Sequence, residues 1–295
     1  MIIVRIFGGL GNQMFQYAAG RALAIRHGTE VMLDLRAFRT YRLHKYSLSK
    51  FCIEAKTAPD PSFALAHRAK LEFVGRLPPG MLRSCYIEHP FGNHAGWDRV
   101  ATDAYIKGYF QSEYFFKEAA VRLRDEFRPG ATHGAQNDVA AALVADCESV
   151  ALHVRRGDYV SNKATLDIHG ACSIGYYQAA VELLRRRLDK PRFFVFSNDF
   201  TWAREHLRLG DNAVLVDWNA SAPEFDLHLM SRCRHHVIAN STFSWWGAWL
   251  GEHPNQLVVA PNPWFESPAF DDSGVLPSRW LRAGKNQASD AASRP

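Results

Sequence analysis

The stretch Ser149-Val150-Ala151-Leu152-His153-Val154-Arg155-Arg156-Gly157-Asp158-Tyr159 decides how the rest of the chain is read. Its first six residues form an apolar run of strand length that stops on two arginines and a glycine. Such a run belongs in a parallel sheet covered on both faces. Neighbouring side chains on a strand point to opposite faces, so with Val154 in the core, His153 and Arg155 share the other face. A turn at the end of the strand is still able to aim both guanidiniums the same way. A phosphate or diphosphate calls for planar, permanently charged, forked donors, and arginine supplies them. The plainer alternative is a surface turn with a local ion pair, contributing roughly 0–1 kcal/mol.

Working outward, the pattern around this strand alternates helix and strand. A helix near Val139–Cys147 precedes it. Helices at Gly175–Leu188 and Thr201–Leu207 are followed by strands at Arg192–Phe196 and Ala213–Val216. A helix from about Ala222, a strand His235–Ala239, a helix Thr242–Gly251 and a strand Gln256–Ala260 complete the series. Short apolar strands alternating with helices predict an α/β protein with parallel sheets. At the other end, Met1-Ile2-Ile3-Val4-Arg5-Ile6-Phe7 reads as a buried strand. Gly8-Gly9-Leu10-Gly11, a helix Gln13–His27 and a strand Glu30–Leu33 ending in Asp34 follow it. The polar stretch Arg128–Asp138 is the expected boundary between two α/β units. The region from Tyr41 to Gly108 mixes Pro, His and aromatics without a clear period, so short elements and loops are expected there. The small, polar residues after about Leu281 read as a tail.

Composition narrows the class. The chain has 295 residues, 47% hydrophobic and 22% charged, which describes a globular protein rather than a disordered one. No apolar run approaches the roughly 18–20 residues needed to cross a bilayer, and the N-terminal strand is too short for a secretory segment. Five scattered cysteines without Cys-x-x-Cys spacing argue against a disulfide framework or zinc site and fit a reducing compartment. A cytoplasmic protein is expected, at most peripheral at the inner face of a membrane. The net charge of +5 suits an anionic small ligand, while the dispersed arginines argue against nucleic acid.

Open α/β sheets bind ligands beyond the carboxyl ends of their strands. Four stretches fall at such ends: Gly8–Gln13, His153–Tyr159, Ser197–Asp199 and Asn240–Ser244. In the first, Gly9 and Gly11 let backbone N–H groups and Asn12 approach a ligand, or merely permit a tight reversal. The Gly-x-Gly-x-x-Gly fingerprint lacks its third glycine, although Asp34 sits where a ribose-binding acid would. In the last, Ser241, Thr242 and Ser244 lie at a strand-to-helix junction. There the first helical N–H groups attract anions, and Ser241 or Thr242 either caps the helix or bonds a phosphate. Trp245, Trp246 and Trp249 at helical spacing read as core rather than a sugar platform. Glu224 and Asp226 diverge on a helix, so joint metal chelation is not expected. A carboxylate there is able to accept both donors of a guanine edge. The sequence contains no Asp-x-Asp and no His-x-x-x-His.

Taken together, Phe7-Gly8-Gly9-Leu10-Gly11-Asn12-Gln13-Met14-Phe15-Gln16, His153–Tyr159, Ser197-Asn198-Asp199 and Asn240-Ser241-Thr242-Phe243-Ser244-Trp245-Trp246-Gly247-Ala248-Trp249-Leu250 resemble the α-1,2-fucosyltransferases of glycosyltransferase family 11. The resemblance implies a GT-B fold: Rossmann-like domains at 1–132 (acceptor side) and 133–282 (GDP-fucose side) facing a central cleft, with 283–295 a flexible tail. It implies an inverting, metal-independent transferase with no cofactor. The donor is GDP-β-L-fucose and the acceptor a galactose-terminated glycan, in a surface polysaccharide such as an O-antigen.

By the same resemblance Arg155 contacts the β-phosphate with Arg156 in support. His153 and Asp226 contact the nucleotide, Ser241, Thr242 and Phe243 form a phosphate-binding turn, and Asn12 approaches from the first domain. Asp199 is counted among the substrate contacts, and Asp158 is a candidate general base. Two rival readings are an NAD-dependent sugar-nucleotide oxidoreductase or epimerase built on the first glycine turn, and a non-catalytic nucleotide- or glycan-binding module.

Overall fold

Two parallel sheets organise the chain. The computed structural model describes residues 1–41, 43–58, 84–131, 134–251 and 253–288, with Asp158 described in its backbone alone. Contacts divide the protein into two compact units. One is Met1–Gly130 with Ser273–Pro277, and the other is Ala131–Asp272 with the residues from Ser278 onward.

In the first unit β1 (Ile2–Arg5), β2 (Val31–Asp34), β3 (Lys56–Thr57), β4 (Cys85–Ile87) and β5 (Ala104–Lys107) form one sheet in the order β3-β2-β1-β5-β4. Each adjacent pair runs parallel. The Leu10–Arg26 helix is buried from Gln13 to Ala24 because it lies over β1 and β2. Gly20 permits that approach, since a Cβ there would stand 3.0 Å from Val4.

The second unit holds β6 (Ser149–Val154), β7 (Arg192–Ser197), β8 (Val214–Leu215), β9 (His235–Val237), β10 (Val258–Asn262) and β11 (Leu281–Gly284). Their order is β11-β10-β9-β6-β7-β8, again parallel throughout. The chain winds from β6 outward through β7 and β8, then returns to build β9, β10 and β11 on the other side. This is a doubly wound sheet with its topological switch point between β6 and β9. β6 is buried along its whole length, as its apolar run requires. Val150, Leu152 and Val154 enter one core with Tyr176, Tyr177, Ala180 and Leu184. Ala151 faces the opposite core with Phe194, Phe196, Leu229 and Met230. The α/β class with two Rossmann-like parallel sheets, the make-up expected of a GT-B chain, is therefore present.

Two boundaries depart from the sequence reading. Ser273–Pro277, expected in the second domain, belongs to the first unit, where Val275 and Leu276 bury their side chains. Residues 283 and 284, expected as the start of a tail, complete β11, and Lys285 after them is fully buried. The backbone pairing of Leu281–Gly284 with Val259–Asn262 is what holds them. Among the described residues no helix is long and apolar enough to cross a membrane.

Candidate functional site

In the second unit β6 and β9 are neighbours at the switch point, and His153, Arg155 and the start of the Thr242–Leu250 helix lie at or follow their carboxyl ends. His153 is 5% exposed and shares the face of Ala151, its ring 5.8 Å from that of Phe243. Burial, then the neighbouring Arg155 charge, pushes its pKa down to about 3, so the imidazole is neutral at physiological pH. Its Nδ1 is buried and has no hydrogen-bond partner among the described residues. Leaving a buried polar atom unsatisfied costs about 1–3 kcal/mol, a cost that a ligand's hydrogen bond removes.

Arg155 and Arg156 part company, as strand alternation requires. The Arg156 guanidinium lies 4.3 Å from the ring centroid of Trp202, with Nε 3.5 Å from Asp199 Oδ2. Trp202 packs against the Val150, Leu152 and Val154 core, which places Arg156 on that side of the sheet. The Arg155 guanidinium lies instead 5.4 Å from the ring centroid of Tyr159. Asp199 is occupied within the protein. Besides the Arg156 pair, its Oδ1 caps the Phe200–His206 helix by accepting from Trp202 N at 3.0 Å. The structure thus gives Asp199 a positioning place beside Arg156 rather than one beside Arg155.

Asn198, marked in the sequence only as part of the Ser197–Asp199 stretch, holds the turn itself. Its Oδ1 accepts from Arg156 N at 2.9 Å. A Cβ on Gly157 would stand 2.3 Å from Asn198 Nδ2, so the glycine makes room for this bond. Gly157→Ala is expected to lower kcat/KM by roughly 100-fold, because it expels Asn198 and shifts the arginine turn. Steady-state kinetics check this, and an unchanged kcat/KM would show that Asn198 does not set the turn.

The Thr242–Leu250 helix begins at the end of β9. Ser241 stands at its N-cap position without capping it, and Ser244 Oγ bonds back to Ala239 O and Ser241 O at 3.3 Å. The first-turn N–H groups at Thr242 and Phe243 consequently face the switch point with no side-chain cap, which is the arrangement that attracts an anion. Trp245, Trp246 and Trp249 are at most 3% exposed and form core.

Asp226 lies in the first turn of the Pro223–Arg232 helix, which packs on the His153 face through Leu229 and Met230. Its carboxylate accepts from Asn219 Nδ2 at 2.9 Å. Burial, tempered by that bond and reinforced by Glu224, raises its pKa to about 6. The side chain of Asp158 lies outside the described residues.

Gly9, Gly11 and Asn12 belong to the first unit. There the left-handed backbone falls on Gly8, with φ of 80°, rather than on Gly9, where a Cβ would meet only His44 at an ordinary 3.5 Å. Gln13 ties the turn down, donating to Gly8 O at 2.8 Å and Lys45 O at 2.9 Å. Asn12 Oδ1 accepts from Gln111 Nε2 at 2.9 Å, linking the first turn of the Leu10–Arg26 helix to the segment that follows β5. Asp34 is already committed. Arg36 donates to both of its oxygens at 2.7 Å and Tyr105 OH donates at 2.6 Å. Burial opposes its ionisation, but these bonds prevail and hold its pKa at about 2. A dinucleotide ribose would have to displace that network. Among the described residues no group of three His, Cys, Asp or Glu side chains is placed to hold a metal ion.

The doubly wound unit thus carries an arginine, a helix without a side-chain cap and an unpartnered imidazole nitrogen around its switch point; comparison with known proteins specifies the class. The chain belongs to glycosyltransferase family 11, whose model matches residues 99–281. It is 33% identical over 298 residues to an α-1,2-colitosyltransferase of Escherichia coli, covering 97% of this chain and 99% of that one. It is 29% identical to the O-antigen biosynthesis glycosyltransferase WbnK of Escherichia coli, covering 88% and 93% respectively. Among solved structures, the NodZ α-1,6-fucosyltransferase soaked with GDP-fucose aligns with a TM-score of 0.48 and 13% identity, over 84% of this chain and 91% of that one.

Proposed function

We propose that this glycosyltransferase is an inverting α-1,2-fucosyltransferase that moves L-fucose from GDP-β-L-fucose to the 2-hydroxyl of a galactoside, in the synthesis of a surface polysaccharide of O-antigen type. It works at the cytoplasmic side, in solution or peripherally at the membrane. The observation that carries the reading is that Arg155 rests on Tyr159, whose OH bonds to Asn240 O just before the uncapped Thr242–Leu250 helix. As the C1–O bond lengthens, negative charge grows on the departing GDP. A fixed guanidinium and helical N–H groups stabilise that charge without reorganising. This assigns the task of a metal ion to Arg155 and leaves the enzyme metal-independent. His153 and Asp226 bind the nucleoside, and Ser241, Thr242 and Phe243 shape the phosphate turn. Gly9, Gly11 and Asn12 supply contacts from the acceptor-side unit. Asp158 is the proposed general base for the attacking hydroxyl, which requires it within about 2.6–3.2 Å of that proton.

The long match to a colitosyltransferase favours a second reading, in which the donor carries the 3-deoxy analogue of fucose. Incubation with GDP-fucose or GDP-colitose and a β-galactoside in EDTA, following GDP and the glycan product, separates the two. Turnover of GDP-fucose in EDTA is expected. Transfer from GDP-colitose alone would reassign the donor, and activity restored only by Mn²⁺ would overturn metal independence. GDP binding without release of product would leave a non-catalytic module.

A further inference from the structure

The short helices Gly157–Ser161 and Lys163–His169, between the arginine pair and the Ile174–Arg187 helix, bring a second aromatic residue beneath the first. The ring of His169 stacks on that of Tyr159 at 5.0 Å and 17°, while Tyr159 carries the Arg155 guanidinium 5.4 Å from its centroid. The order is guanidinium, phenol, imidazole.

Buried groups fix this column. Tyr159 OH donates to Asn240 O at 3.1 Å. Asn240 Nδ2 in turn donates to His169 O at 2.6 Å and Gly170 O at 3.1 Å. Lys285, fully buried, donates to His169 O at 2.8 Å and pairs with Glu266 at 2.8 Å. Asn240 itself lies between β9 and the Thr242–Leu250 helix, one residue before the N-cap position, so one side chain ties the column to the proposed phosphate turn.

We propose that Tyr159 and His169 are positioning residues that aim Arg155 at the β-phosphate of the nucleotide before it binds. A free arginine loses rotamer entropy when it closes on a ligand, whereas one resting on an aromatic face has lost part of it already. Preorganised charge is also what stabilises a leaving diphosphate most effectively. The inference rests on the reading of Arg155 as the diphosphate clamp.

The test compares GDP with GMP, which lacks the β-phosphate, by calorimetry on the full chain, with melting curves to confirm folding. Tyr159→Leu removes the aromatic face and is expected to weaken GDP binding roughly tenfold while leaving GMP within about twofold. Tyr159→Phe keeps the face and is expected to hold GDP within about threefold. In an Arg155→Ala background, Tyr159→Leu is expected to add nothing, since a residue acting through Arg155 has nothing left to act on. Equal losses for GDP and GMP, or additive effects in the double variant, would overturn the inference. If Arg155→Ala weakens GDP but Tyr159→Leu does not, the column alone is wrong. If Arg155→Ala binds GDP as the wild type does, the clamp reading falls and the inference with it.

Discussion

Arg155→Ala is expected to lower transfer roughly 10²–10³-fold while leaving the protein folded. Arg155 sits beyond the end of β6, outside both apolar cores, so its removal opens no cavity. On the proposed reading, its loss instead withdraws a charged donor from the place where the departing diphosphate gathers negative charge. Removing one such donor typically costs about 3–4 kcal/mol of transition-state stabilisation, or roughly 10²–10³-fold in kcat. Arg156→Ala is a useful contrast. It breaks the stack on Trp202 and the pair with Asp199, so it should disturb the turn and thermal stability more than Arg155→Ala does. Rates of GDP release and melting curves for both variants decide the matter. Near-normal turnover in Arg155→Ala would sink the clamp.

Asp226→Asn is expected to make the protein more stable and the enzyme worse. The folded pKa of Asp226 stands at about 6, above the roughly 3.9 of a carboxyl in an unfolded chain. A raised acid pKa means that the folded state holds the proton more tightly. Wild-type stability attributable to this group therefore falls as pH rises from about 4 to about 6, and stays low above that. The neutral amide escapes the penalty and keeps an oxygen for Asn219 Nδ2. A gain on the order of 1 kcal/mol at pH 8 is expected after allowance for partial exposure, vanishing near pH 4. The proposed guanine contact needs the ionised form, so the variant should raise KM for the donor by roughly 10–100-fold. Wild-type affinity should likewise fall as pH drops through about 6, a change His153 does not contribute because it is already neutral there. A lower melting temperature at pH 8 with an unchanged KM would make Asp226 merely structural.

What the sequence made legible follows from the range of the interactions involved. β6 and its arginine turn could be read because period-two alternation and a charged stop are local, and the divergence of Arg155 from Arg156 follows from the same alternation. The tryptophans at helical spacing were legible as core for the same reason. The partners of those residues were not legible. Trp202 under Arg156, His169 under Tyr159, and Lys285 reaching His169 across 116 positions become neighbours only through the winding of the sheet. Asp199 and Asp34 both stand at strand ends, and the internal partners that each has there are set by the fold and not by any local pattern. Gly8 rather than Gly9 takes the left-handed conformation, a choice that depends on how Gln13 anchors the turn. Of the region from Tyr41 to Gly108, which shows no clear period, residues 42 and 59–83 lie outside the described residues.

The excursion of Ser273–Pro277 into the first unit means that the polypeptide passes between the units three times, after residues 130, 272 and 277. Neither unit is a contiguous gene fragment. A truncation at residue 272, before the chain leaves the second unit, would delete β11, leave β10 an edge and strip the Glu266 carboxylate of Lys285. Activity swaps between relatives should therefore exchange 131–272 together with 278–295, keeping 1–130 and 273–277 from one parent, rather than join two halves at a single seam.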